Sequence, residues 1–311
     1  MQILHSFTNP SKLPIALTIG NFDGVHIGHR AILRKLVQVA ERQHYQPAAM
    51  TFSPHAKVFF RQTDNFLITD DTEKADRIAD CGIKTLWQIP FDDNFCHITP
   101  NDFIDRLIHQ LKINYLLVGD DFRFGYQGQG DFQLLEKACQ KYQVELQRTP
   151  TICYQNERVS SSRVREAIQH NDFALVEKLL GRRLSYQGKV SPGKQLGRTI
   201  DFPTANITLA KTRLLPAGVF AVRVNIEDDT TLYQGMCNIG TKPTVSDENL
   251  RQIETHLFDF NENLYGKTLH IEPVAKIRDE QKFTDISKLV NQLHKDKQKS
   301  LRLLNHINAG R

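Results

Sequence analysis

Only five cysteines (Cys81, Cys96, Cys139, Cys153 and Cys237) occur in 311 residues, odd in number and without a C-x-x-C pair. Such spacing argues against a zinc site and a disulfide framework, and is that of reduced thiols in a cytoplasm. Nor does any apolar run approach the roughly 20 residues that a membrane helix needs. The first residues, Met1-Gln2-Ile3-Leu4-His5-Ser6, lack the basic head and apolar core of a signal peptide. Dense charge is scarce too: the net charge is +5, and lysine and arginine are dispersed except between Lys295 and Lys299. A soluble cytoplasmic protein is expected, with neither nucleic acid nor membrane as partner. Nothing in the chain specifies a protein partner, and internal repeats and low-complexity tracts are absent.

What is present suits about two globular domains, at 40% hydrophobic and 24% charged residues. Residues 1–150 alternate between two patterns. Strand-like runs are Ile15–Ile19, Ala48–Phe52, Thr85–Ile89, Tyr115–Val118 and Val144–Gln147. Helix-like stretches are Ala31–Arg42, Thr72–Asp80, Asp102–Leu111 and Asp131–Tyr142. The alternation predicts an α/β, Rossmann-like domain with a parallel sheet, binding ligands at the carboxyl ends of its strands. Two short helices follow, Ser160–Gln169 and Asp172–Leu180. From Leu184 the texture becomes short β-rich segments (Ser185–Val190, Val219–Ile226, Thr231–Ile239, Ile253–Phe260, Thr268–Lys276) and then a terminal helix. That pattern predicts a small β-barrel or sandwich. The boundary is placed at Arg183, giving domains 1–183 and 184–311.

The most informative stretch is Gly20-Asn21-Phe22-Asp23-Gly24-Val25-His26-Ile27-Gly28-His29, set between the first buried strand and a helix. A glycine-rich turn there offers free backbone N–H groups and the positive end of a helix dipole, which together bind phosphate. His26 and His29 are three apart and can face one phosphate. H-x-G-H is shared by class I aminoacyl-tRNA synthetases and small nucleotidyltransferases, and both transfer adenylate from ATP. That reaction depends on stabilising charge around phosphorus more than on a protein nucleophile. Taken alone, the motif also fits a plain strand–helix turn with two surface histidines. A synthetase would need a lysine-rich K-M-S-K-S loop, which is not evident. Ser160-Ser161-Ser162-Arg163-Val164-Arg165, alone a helix cap with solvated arginines, gains meaning beside such a turn as a cradle for the outer phosphates.

Taken together, the blocks resemble the bacterial bifunctional riboflavin kinase/FAD synthetase family over nearly the whole chain. In the first half they are Gly20–His29, Phe52-Ser53-Pro54-His55, Leu67 to Lys74, Gly119–Gly125 and Ser160–Arg165. In the second they are Gly197-Arg198, Phe202–Asn206, Asn238–Thr244, Glu254 to Phe260, Leu264–Lys267, Arg278-Asp279-Glu280 and Lys282-Phe283. The resemblance implies an amino-terminal FMN adenylyltransferase and a carboxy-terminal riboflavin kinase, using ATP and Mg2+ with riboflavin, FMN and FAD as substrates and products. It assigns Asn21, His26 and His29 to catalysis at the ATP phosphates, with Gly20, Asp23, Gly24, Ser161 and Arg165 in ATP binding. It assigns Asp120, Phe122 and Phe124 to the flavin, and His55 is read as a structural turn residue. In the kinase it implies ATP at Gly197, Thr204 and Asn206, magnesium at Thr204 and Asn206, flavin at Arg278, and Glu254 as general base among apolar neighbours. Alternation in Ile253–Phe258 is expected to put Glu254, His256 and Phe258 on one face. Three residues depart from the family: Ser162 for threonine, Pro192 for histidine and Asp201 for glycine. Asp201, beside the phosphate site, motivates an alternative in which the second domain is a weak or non-catalytic flavin binder.

Overall fold

The computed structural model describes residues 1–192, 196–240 and 250–309. Residues 241–244 of the Asn238–Thr244 block, and Gly193 after Pro192, lie outside the described residues. The chain divides into two compact units, Met1–Arg163 and Val164–Arg311.

In the first unit, six strands form one parallel sheet: β1 (Gln2–Leu4), β2 (Ile15–Ile19), β3 (Gln46–Ser53), β4 (Thr85–Pro90), β5 (Ile113–Val118) and β6 (Glu145–Arg148). Their order is β1-β4-β3-β2-β5-β6. Helices α1 (Ile27–Gln43), α2 (Ala56–Arg61), α3 (Asp71–Ala79), α4 (Asp93–Cys96), α5 (Pro100–Asp105) and α6 (Phe132–Tyr142) connect them, α5 running on into a π turn at Arg106–Gln110. Every residue of β2 is buried because both sheet faces are covered. Ile15, Leu17 and Ile19 join one core with Phe103, Leu107 and Leu135 of the helical connections. Ala16 joins the opposite core with Leu33, Leu36, Ala75 and Ile78. Thr99 caps α5 with Pro100 behind it, and the Asp131 carboxylate accepts from Leu134 N–H at α6. A two-strand ribbon, β7 (Cys153–Tyr154) and β8 (Glu157–Arg158), completes the unit before α7 (Ser161–Gln169).

The second unit starts within α7 and includes α8 (Phe173–Leu180), capped by Asp172 and ended by Gly181 at φ 66°. Six antiparallel strands then close a barrel: β9 (Tyr186–Ser191), β10 (Ala205–Ala210), β11 (Gly218–Ile226), β12 (Leu232–Ile239), β13 (Leu250–Leu257) and β14 (Thr268–Arg278). The terminal helix α9 (Ile286–Ala309) covers one outer face, where Leu293, Leu301 and Leu304 meet Val219, Ala221, Met236 and Ile277. Phe173 of α8 packs edge-on against Phe220.

Candidate functional site

Sheet order fixes the first site. From β2 the chain moves one way to β3 and β4, and the other side of β2 is later filled by β5 and β6. The connections leaving β2 and β5 therefore part in opposite directions, and a crevice opens at the carboxyl ends of these neighbours. Both glycine-rich turns, Gly20–His29 and Gly119–Gly125, leave from those ends.

The first turn is tightly held. Phe22, Gly24 and Val25 have φ of 48°, 81° and 39°. A left-handed β-branched residue is strained and persists only where its surroundings enforce it. The enforcement comes from Asp23, 2% exposed, whose carboxylate accepts from the N–H groups of Ile68 (2.9 Å) and Thr69 (3.1 Å). Gly24 N–H donates to the Thr69 hydroxyl, and a Cβ on Gly24 would lie 3.0 Å from Ile68. Asp23 thus ties the turn to the 66–70 loop. Its carbonyl accepts from the Ser161 hydroxyl at 2.9 Å, which brings the serine cluster to the same turn.

His26 caps α1: its Nδ1 accepts from His29 N–H, which leaves the proton of the neutral ring on Nε2. The His26 and His29 rings stack at 3.6 Å, and His29 meets Phe22 edge-on. The first turn of α1 carries no acidic residue, so its positive end is not neutralised from within the helix. Beside it lies a cavity of about 230 Å³, walled by Phe52, Phe60, Phe91, Phe95, Phe122 and Phe124, with Asn21 on its rim. Phe122 and Phe124 stack at 5.5 Å. Gly125, at φ 72°, is forced to be glycine because a Cβ would sit 2.7 Å from Pro100. A flat aromatic ring carrying a phosphate fits this combination of apolar cavity and anion-binding turn.

Not every expected residue faces that cavity. Asp120 is outside its wall and accepts from the Thr151 hydroxyl (2.6 Å) and Arg158 (3.3 Å); the Thr151 bond chiefly holds its pKa below the ordinary carboxylate value. His55 caps α2 through Lys57 N–H. Arg163 is engaged with Glu157 and the Tyr154 carbonyl. Arg165 lies beyond the division between the units, four residues after Ser161 on α7. Phe52, Phe60, Phe91 and Phe95, too scattered for a local motif, are brought together only by the fold.

The second site is built around β13. Glu254 and His256 line a cavity of about 240 Å³, while Thr255 and Leu257 line one on the other face, as alternation expects. Glu254 pairs in register with Asn206 of β10 and Asn238 of β12. Its setting differs from expectation: Glu254 is exposed, because apolar Ile253 and Leu257 point away and its ladder neighbours are amides. Thr204 lines both cavities and leads into β10, where Asn206 is buried. Buried His256 donates from Nδ1 to the Pro203 carbonyl at 2.8 Å, fixing the approach to Thr204. Burial is the main cause lowering its pKa. Gly197 is sterically required: a Cβ there would lie 2.2 Å from the Phe202 carbonyl oxygen. Arg278 and Phe283 line the same cavity. The arginine pairs with Asp296 of α9, a residue that sequence reasoning missed, rather than with Asp279 or Glu280 side chains.

Two family models match the chain in succession. Residues 8–163 match the family described as FAD synthetase and residues 180–304 that described as riboflavin kinase. The bifunctional riboflavin kinase/FMN adenylyltransferase of Escherichia coli K12 is 38% identical over 95% of this chain and 96% of that protein. The protein of the same description from Bacillus subtilis 168 is 34% identical over 97% and 96%. A crystal structure from Streptococcus pneumoniae, described as a macrolide-efflux protein, superposes with a TM-score of 0.79 at 27% identity, covering 96% of this chain and 99% of that one. Among the described residues, no helix is long and apolar enough to cross a membrane. With both family domains in order along one chain, this protein belongs to the bifunctional riboflavin kinase/FMN adenylyltransferase family.

Proposed function

We propose that the chain phosphorylates riboflavin to FMN in its carboxy-terminal part (184–311) and adenylates FMN to FAD in its amino-terminal part (1–183), in the cytoplasm. The observation that carries the reading is the pairing, in one unit, of an unneutralised helix end bearing His26 and His29 with an aromatic cavity that shares Asn21. There an FMN phosphate oxygen attacks the α-phosphorus of ATP, the α–β bridging bond breaks, and pyrophosphate leaves. His26, His29 and Asn21 stabilise charge on the reacting phosphate, assisted by the N–H groups of the Gly20–Gly24 turn. Asp23 contributes by holding that turn. Phe122 and Phe124 stack on the isoalloxazine. Ser161 and, by family resemblance, Arg165 take the leaving pyrophosphate, and Asp120 braces the flavin-side turn.

In the barrel, Glu254 removes the proton of the ribityl 5′-hydroxyl as its oxygen attacks the γ-phosphorus, and ADP leaves. Gly197 shapes the ATP-side turn, and Arg278 binds the flavin. Thr204 and Asn206 offer hard oxygen donors, few in number. That set suits a magnesium ion that keeps several waters and phosphate oxygens, and no cluster of three or more His, Cys, Asp or Glu residues occurs among the described residues to cage a metal. Bound there, magnesium would neutralise phosphate charge.

Paired variants test the assignment. His29→Ala is expected to accumulate FMN from riboflavin without FAD. Glu254→Ala is expected to leave riboflavin unchanged yet adenylate supplied FMN. Normal phosphorylation by Glu254→Ala would remove the base assignment.

A further inference from the structure

One helix face of α9 is out of keeping with its neighbours. Leu289, Leu293, Asp296, Ser300 and Leu304 recur at three- and four-residue spacing and turn toward the barrel, so a carboxylate interrupts an apolar stripe. Asp296 is 1% exposed. A buried carboxylate needs a partner, and here it has a planar one. Arg278 Nε donates to Asp296 Oδ2 at 2.9 Å, and Nη2 does so at 2.8 Å. Gln292 Nε2 supports Oδ1 at 2.9 Å, and the Ser300 hydroxyl donates to the Asp296 carbonyl at 2.7 Å. Nη1 of Arg278 donates to the Asp279 carbonyl at 2.9 Å. The inner edge of the guanidinium is therefore occupied, leaving one N–H on each terminal nitrogen. Arg278 lines the cavity that also holds Glu254, and Phe283 lies 5.7 Å below its guanidinium carbon.

We propose that Asp296 is a positioning residue for the kinase reaction. It fixes the Arg278 guanidinium plane from α9, so that the remaining pair of N–H donors meets adjacent acceptor atoms of the flavin ring. A neutral or shorter side chain at 296 frees the arginine to rotate out of register. The proposal rests on the reading that this cavity takes riboflavin.

Steady-state riboflavin kinase kinetics of the full chain test it, with FMN adenylylation by the same molecules as an internal measure of integrity. Asp296→Asn is expected to raise the riboflavin KM roughly tenfold or more, the scale of a misplaced contact group, while the ATP KM and FMN adenylylation stay at wild-type values. Adding Asp296→Asn to Arg278→Lys should worsen the riboflavin KM little beyond Arg278→Lys alone, because both act through one group. An unchanged riboflavin KM in Asp296→Asn, or an effect that multiplies fully with that of Arg278→Lys, overturns the proposal. If Asp296→Asn loses the thermal transition of the second unit, Gln292→Leu decides. It keeps the ion pair but loosens the carboxylate, and an unchanged riboflavin KM there also overturns the proposal. A wild-type chain that makes no FMN would instead overturn the functional reading on which this one rests.

Discussion

Asp23 separates two roles that a sequence motif merges. If its carboxylate serves the Ile68 and Thr69 amides, a neutral acceptor should replace it. Asp23→Asn is expected to adenylate FMN within a few-fold of wild type, whereas Asp23→Ala loses about 1–3 kcal/mol of stability and most of that activity. Adenylylation rates and thermal unfolding of the two variants check this. Gly197 makes a steric prediction: Gly197→Ala should abolish riboflavin phosphorylation and leave FMN adenylylation intact, because its Cβ meets the Phe202 carbonyl. Asp201 adopts φ 59°, the region where the family's glycine is at ease and where Asp or Asn is tolerated. Asp201→Asn keeps that conformation and removes the charge. If the carboxylate repels ATP, this variant lowers the ATP KM roughly two- to fivefold, the size of an exposed charge interaction. The residues that sequence hid share a cause. Asp296 answers to a partner 18 positions away, and the phenylalanine wall is drawn from β3, α2, α4 and the loops. Neither leaves a local pattern.

Elements were more legible than contacts. The buried run Ile15–Ile19 is a strand with the expected ends, and Asp131 and Asp172 cap the helices read as starting at them, because capping and alternation are local chemistry. β10 was less so: with Pro203 ahead of it and polar Asn206 and Thr208 inside, Ala205–Ala210 is extended mainly through pairing with β13 and β9. That pairing carries a pH dependence. His256 on β13 is held below its ordinary pKa of 6.5, chiefly by burial, so the neutral ring is favoured on folding. Below 6.5 the unfolded chain binds more protons, and the stability from this ring, present above that pH, is lost as pH falls through the lower folded value. The second unit should therefore melt at lower temperature as pH drops from about 7 to about 5. His256→Gln should flatten the profile; an unchanged slope in that variant would assign it to other groups.

At the scale of the whole molecule, one chain carries two unrelated phosphate chemistries. A parallel sheet gives the first its diverging strand ends, and a closed barrel gives the second its two-faced strand. The family matches end at 163 and resume at 180, so most of α7 and of α8 falls between them, in a stretch that belongs to the second unit. The change of texture at Leu184 marks where the barrel begins, which is all that a composition shift records. The most direct test of the central claim is to incubate the purified protein with riboflavin, ATP and magnesium and separate the flavins over time. FMN is expected first and FAD after it. FAD formed only when FMN is supplied, with riboflavin left untouched, would contradict the claim.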